Sequence, residues 1–224
     1  MEIETGSLRI REFLASDQLA LMRMHKDKRV RALLLDDFPL DEVGYSKAFI
    51  ERQQELYQLY PGFGIWCAEK IVTAISKDDL EKHDIRGLPP ELLQSLTQPK
   101  YKFAGWFNLL PLPDDLDEIE LGSRLLPQYW GSGIAFSGGE LLINYAFEEM
   151  GLQRLWIVCH IEHRSVSYIA FTLGFKFDGV RDYCGTRACY YLLEKNHWCD
   201  WRQLSLKDRK RYGVASFRSK MDSI

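Results

Sequence analysis

Leu8 and Ile10, followed by Phe13, alternate with polar residues through SLRIREFL (residues 7–14), the period of a short strand. Ser16 and Asp17 can cap the next segment, DQLALMRMHKDKRVRALLL (17–35), where Leu19, Met22, Val30 and Leu33 share the apolar side of a helix. DDFPLDE breaks that pattern, and a second helix over about 41–58 carries Val43, Phe49, Ile50 and Leu56 before PGFG ends it. FGIWCAEK (63–70) is strand-like, and YKFAGWFNLLPL (101–112) and EIELGSRLL (118–126) read as two strands joined by the turn PDDLD. In the helix that follows, to about Met150, Ile134, Gly138, Leu141, Leu142, Tyr145 and Ala146 fall at helical spacing, so one face packs on something flat and apolar. RLWIVCHI (154–161) reads as a buried strand, SVSYIAFTLGF (165–175) as a short helix closed by Gly174, and FKFDGV and ACYYLLEK as the last two strands.

This order predicts an α/β protein of the α+β type, with a mixed, largely antiparallel central sheet flanked by helices. Residues 76–99, charged and containing Pro89–Pro90, read as a surface insertion with a short helix from Glu91. The expected organisation is one domain over residues 1–198 and a basic C-terminal helix or tail over 199–224.

Composition narrows the function classes. Hydrophobic residues make up 46% of the 224, enough for a real core. A net charge of -3 argues against a dedicated nucleic-acid binder. The run LKDRKRYGVASFRSK (206–220) reads as a solvated charged face; RNA docking through it would show as steep salt dependence. No stretch approaches the roughly 18 apolar residues of a membrane helix, and MEIETGSLRIREF has no basic region followed by an apolar run. A cytoplasmic location is expected. The five cysteines, Cys67, Cys159, Cys184, Cys189 and Cys199, form no CxxC pair, so free thiols and no metal site are expected.

The chemistry concentrates in LPQYWGSGIAFSGGE (126–140), where Gly131 and Gly133 stand at the mouth of a helix. They make either a plain tight turn or a bare helix N-terminus whose N–H groups hold an anion. A dinucleotide fingerprint would need a glycine at Phe136, and a Walker loop a Gly-Lys-Ser/Thr step; neither is present.

The flanks carry more. Residues 120–135, ELGSRLLPQYWGSGIA, resemble the acetyl-CoA-binding segment of the GNAT superfamily of N-acetyltransferases. They are similar above all to the branch of ribosomal-protein alanine N-acetyltransferases, with its pattern E-x-G-x-x-L-x-P-x-Y/W-x-G-x-G-x-A. Glu120, Gly122, Leu125, Pro127, Tyr129, Gly131, Gly133 and Ala135 match it, and Gln128, Gly131 and Gly133 fit the superfamily's Gln/Arg-x-x-Gly-x-Gly/Ala core. Residues 151–180 resemble the branch's next block, and the likeness spans roughly residues 5–195.

The resemblance implies the acyl-CoA N-acyltransferase fold and direct transfer of acetyl from acetyl-CoA, as cosubstrate, to a primary amine. A peptide or protein N-terminal amine is the leading acceptor; polyamine, aminoglycoside and amino-acid amines stay open. It implies that Gln128, Tyr129, Trp130, Gly131, Ser132, Gly133, Ile134 and Ala135 cradle the pyrophosphate, and that the pantetheine arm adds along Leu125 and Leu126. Tyr129 and Trp130 also suit a role packing the loop. Glu120 falls at the base-like position, with Glu118 as alternate. His163 stands where the branch has Asn, as a donor to CoA or a helix cap. The branch's Ser falls at Val166, leaving Ser165 and Ser167 as candidate donors to the thiol leaving group. The superfamily's acidic Tyr falls at Ala170, with Tyr168 two residues away, and Phe136 replaces a small polar residue. These departures leave a second reading, a catalytically silent acyl-CoA-binding or regulatory module. A monomer or homodimer is expected.

Overall fold

The computed structural model describes residues 1–72 and 98–221, together with Pro89 and Glu91. Nearly all of the expected insertion, 76–99, lies outside the described residues.

Alternating side chains build a single sheet with two buried faces. Its strands are β1 (Glu2–Glu4), β2 (Leu8–Arg11), β3 (Gly64–Val72), β4 (Lys100–Pro111), β5 (Ile119–Leu125), β6 (Arg154–His160), β7 (Lys176–Tyr183) and β8 (Thr186–Glu194). They lie in the order β1-β2-β3-β4-β5-β6-β8-β7. Every neighbouring pair is antiparallel except β5 and β6, which run parallel. The mixed, largely antiparallel sheet is therefore as expected. β1 is an addition: of its three residues only Ile3 is apolar, too short a pattern to read, and pairing with Ile10 of β2 defines it.

The helices are α1 (Gln18–Lys26), α2 (Lys28–Arg31), α3 (Val43–Leu59), α4 (Ile134–Asn144), α5 (Arg164–Thr172), α6 (Lys195–Trp201) and α7 (Leu206–Met221). The expected single helix over 17–35 is two. Asp27 takes an extended ψ of 112° and its carboxylate accepts the Arg29 N–H at 2.9 Å, so a local side-chain bond replaces a helical one. The chain then leaves the helix, and Leu35 packs against a cluster on the sheet. The helix expected to reach Met150 ends at Asn144 and continues as one π turn, Tyr145–Glu149.

On β6, Leu155, Ile157 and Cys159 face a core formed with α4 and α5, whereas Trp156 and Val158 face the other side. β8 repeats this with Cys189, Tyr191 and Leu193 against Ala188 and Tyr190. On the second face, α1, α2 and α3 bury Leu21, Met24, Val30 and Ile50 against Cys67 and Trp106. Beneath them Arg11 forks to Asp17 and Glu69, at 2.7 and 2.6 Å, satisfying buried carboxylates that would otherwise be costly.

α4 sits close to the sheet because Gly138 has no side chain: a Cβ there would lie 2.1 Å from Phe107 Cζ. Gly138→Ala is expected to destabilise the fold by about 1–3 kcal/mol, the usual range for overpacking. The measurement is urea unfolding, and an unchanged midpoint would show that α4 can ride away from the sheet freely.

Of the helix or tail expected at the basic C-terminal end, the structure shows a helix whose Lys207, Lys210, Arg211, Arg218 and Lys220 are exposed, while its other side is packed. α7 lies on α5: Gly213 passes so close that a Cβ would sit 2.9 Å from Thr172 Cα, and Phe217 meets Tyr168 edge to face at 6.1 Å. Among the described residues, no helix is long and apolar enough to cross a membrane.

Candidate active site

β5 and β6 are registered at a single position, Glu120 opposite Trp156. Beyond it β5 stays with β4, through Gly122–Asn108 and Leu125–Gly105, while β6 stays with β8 to its end at His160. The two strands therefore open into a slot. Parallel strands end on the same side, so the turn after β5 and the start of α5 flank one open end of it. Gly105 keeps β4 tight against β5, since a Cβ there would lie 2.0 Å from the Arg124 carbonyl oxygen.

The turn after β5 is a 3-10 turn, Pro127–Tyr129, followed by Gly131 and Gly133 at φ of 72° and 86°. These left-handed values favour glycine. A Cβ on either would meet nothing within 4 Å, so both face open space. Gly133 is the N-cap of α4 and supplies no side-chain acceptor, leaving the first-turn N–H groups to an outside partner. Ser132 is exposed, and its hydroxyl donates back to the Tyr129 carbonyl at 2.6 Å. The Trp130 indole N–H donates to the Leu125 carbonyl at 2.8 Å, and Tyr129 packs against the core, so both brace the loop. Gln128 is exposed, Ala135 half-buried and Ile134 buried. Leu125 is buried in the α4 core, and Leu126 packs on the opposite cluster under α1 and α3.

Glu120 points to the face shared with Trp156 and Tyr190. The Tyr183 hydroxyl donates to its Oε2 at 3.1 Å. Burial pushes the Glu120 carboxyl up to about 7; the Tyr183 bond opposes that shift, and the nearby Asp36 charge adds to it. Tyr183 arrives at the end of a hairpin whose two turn residues, Cys184 and Gly185, have φ of 50° and 87°. Nothing in DYCGTR shows that its tyrosine meets residue 120 across the sheet. Glu118, the alternate, lies just before β5. Its Oε2 accepts the Trp156 indole N–H at 2.6 Å, and it pairs with Arg154.

Gly122 has a local reason. A Cβ there would lie 2.5 Å from Asn108 Oδ1, so the glycine leaves room for that amide beside Glu120. Next on this face is Arg124, nine-tenths buried, bonded to Asp36 at 2.5 Å and lying over the Trp106 ring at 4.5 Å. Its Nη1 lies 3.2 Å from His25 Nε2, and burial, with Arg124 beside it, lowers His25 to about 4. This pin, which fixes the 32–42 segment over β5, is not readable from the sequence.

At the far wall, His163 is the N-cap of α5 and its Nδ1 lies 3.1 Å from Ser165 Oγ. Burial lowers the His163 pKa. Ser165 is exposed. Ser167 is fully buried; its hydroxyl donates to the His163 carbonyl at 3.3 Å and lies 3.9 Å from Cys159 Sγ. Val166 is partly buried, Ala170 fully so, and Tyr168 is turned away onto Phe217.

Three kinds of likeness bear on this arrangement. Residues 7–176 match the acetyltransferase (GNAT) domain. A 58-residue segment is 40% identical to the FsC-acetyl coenzyme A-N(2)-transacetylase of Aspergillus fumigatus, spanning 23% of this chain and 25% of that protein. Among solved structures, a GCN5-related N-acetyltransferase from Brucella melitensis superposes with a TM-score of 0.64 at 14% identity, covering 94% of each chain. A ribosomal L7/L12 α-N-protein acetyltransferase, solved in complex with coenzyme A, gives 0.60 at 15% identity over 87% of this chain and 98% of its own. Those likenesses are of fold. With the domain match spanning most of the sequence, the chain belongs to the GNAT acetyltransferase family.

Proposed function

We propose that the protein transfers an acetyl group from acetyl-CoA to a primary amine. The observation that carries this reading is the slot opened by the single β5–β6 register, with an open glycine loop at its mouth and Glu120 at its apex. The loop suits a pyrophosphate: the open surface at Gly131 and Gly133 admits close approach, and the α4 N-terminus favours negative charge. Gln128 to Ala135 would hold it, with Leu125 and Leu126 lining the arm.

Acetyl-CoA, when bound, supplies a thioester whose C–S bond is exchanged for a C–N bond to the acceptor. Glu120 accepts a proton from the acceptor ammonium, for which a carboxylate near neutrality is matched. Tyr183 holds that carboxylate in place. Ser165, exposed beside His163, donates a proton to the departing sulfur and recovers one from the second proton that the acceptor nitrogen sheds as the amide forms, and Ser167 keeps the α5 entry closed. One proton is released overall. Ser165→Ala is expected to lower kcat about 10²-fold, whereas Ser167→Ala costs about 1 kcal/mol of stability and little rate. Steady-state kinetics beside thermal melts check the contrast, and equal rate losses in the two variants would overturn it.

The first test is calorimetric titration with acetyl-CoA, with CoA and ATP as controls, followed by turnover against an amine panel. Micromolar binding selective for the CoA compounds is expected. Binding without turnover would favour the silent module, which the burial of Ser167 and Ala170 also suits.

A further inference from the structure

The face that carries Glu120 is lined with aromatic rings. Trp156 and Tyr190 meet edge to face with centroids 6.2 Å apart, and Tyr183 lies 6.4 Å from Tyr190. Over two of these rings sits a cation of the chain itself. The Arg181 guanidinium is 5.4 Å from the Trp156 ring and 4.9 Å from the Tyr190 ring. Arg181 belongs to the edge strand β7, and its side chain is 49% exposed and paired with Asp178. The Trp156 and Tyr190 rings beneath it are buried, so the half-exposed guanidinium is what closes them from solvent, and another cation reaches them by displacing it. Ring faces attract cations through their quadrupole, and guanidinium best of the side-chain cations.

Charge around this surface is lopsided. The three arginines nearest these rings and Glu120 are each paired: Arg124 with Asp36, Arg154 with Glu118 and Arg181 with Asp178. The β4–β5 hairpin at its border adds Asp114, Asp115 and Asp117, none ion-paired among the described residues. Asp114 reaches far enough to act on Tyr190, whose hydroxyl is raised to about 12, by burial first and by Asp114 next. An acceptor carrying a carboxylate would meet this hairpin at a cost, whereas a cation would be drawn in.

Resting on the acetyl-transfer reading, we propose that the acceptor is a dication. The amine that reaches Glu120 belongs to a molecule with a second ammonium or guanidinium group, which replaces Arg181 on the Trp156 and Tyr190 rings. Arg181 keeps its pair with Asp178 when displaced, so vacating the seat does not strand a charge. The second charge serves binding and orientation, and the reacting nitrogen alone loses its proton.

The test is turnover of the full chain with acetyl-CoA and matched amines: putrescine, a peptide amide with arginine at its second position, butylamine and 4-aminobutyrate. The dications are expected to exceed butylamine at least tenfold in kcat/KM, with the advantage shrinking as salt rises. The diamine and peptide arms separate a free polyamine from a basic peptide terminus. Arg181→Ala, a surface change, is expected to lower KM for the dications several-fold and leave butylamine unchanged. Butylamine or 4-aminobutyrate performing equally well, or Arg181→Ala weakening the dications, would overturn the proposal and leave the transferase reading intact. Turnover of none of the amines would overturn both.

Discussion

Glu120→Gln is expected to reduce kcat by about 10²–10⁴-fold, the usual worth of a positioned general base, while acetyl-CoA affinity stays within twofold. Wild-type activity should rise as pH passes through about 7, where the Glu120 carboxyl loses its proton, and the variant should lack that limb. The same substitution should stabilise the protein above neutral pH. The folded carboxyl holds its proton to about 7, whereas in the unfolded chain it is released at the ordinary carboxylate pKa. Between those values the unfolded state binds fewer protons, so stability falls as pH rises through the window. The cost, on the order of 3 kcal/mol, is complete above pH 7 and absent in acid. Thermal melts at pH 4 and pH 8 check this: the variant should gain only at the higher pH. A variant with near-normal kcat would remove Glu120 from the chemistry, and one that is inactive without gaining stability at pH 8 would show that the carboxylate is not penalised by its surroundings.

The second large effect is expected from Gly133→Val: a loss of at least about 100-fold in acetyl-CoA affinity with the fold retained. Gly133 has a φ of 86° and faces open space. A valine there meets no neighbour, but the left-handed backbone costs about 1–2 kcal/mol, and relieving it re-aims the N–H groups that start α4. Its methyls would also stand where a phosphate must approach. Calorimetric titration alongside a melting curve reads both quantities. Affinity within threefold of wild type, with the melt unchanged, would mean that the glycines make a turn and no more.

Much of this was written locally. RLWIVCHI reads as a buried strand from its unbroken apolar run, and in the sheet it is buried on both faces, Trp156 and Val158 on one and Leu155, Ile157 and Cys159 on the other. The Gly131–Gly133 loop is likewise a local object: two positive φ values, a proline and the start of a helix lie within a few residues. Asp27 escaped because a helix-period pattern runs straight through it, and one carboxylate-to-backbone bond outcompetes the helical one. The packed side of the basic end was not legible because its small apolar set, with Gly213 and Phe217, gains meaning only against Thr172 and Tyr168 of α5.

By itself the sequence determined seven of the eight described strands, the approximate place of most helices and the glycine pair at the mouth of α4, since periodicity and backbone freedom act over a few residues. Only the tertiary structure decided the environment of Glu120. Its neighbours Tyr183 and Trp156 come from strands far along the chain, and burial between them sets its proton affinity. The same holds for Ser165 and Ser167, two residues apart and one exposed, one sealed. Which of them is exposed depends on where α5 packs, and that is fixed by the shape of the whole core.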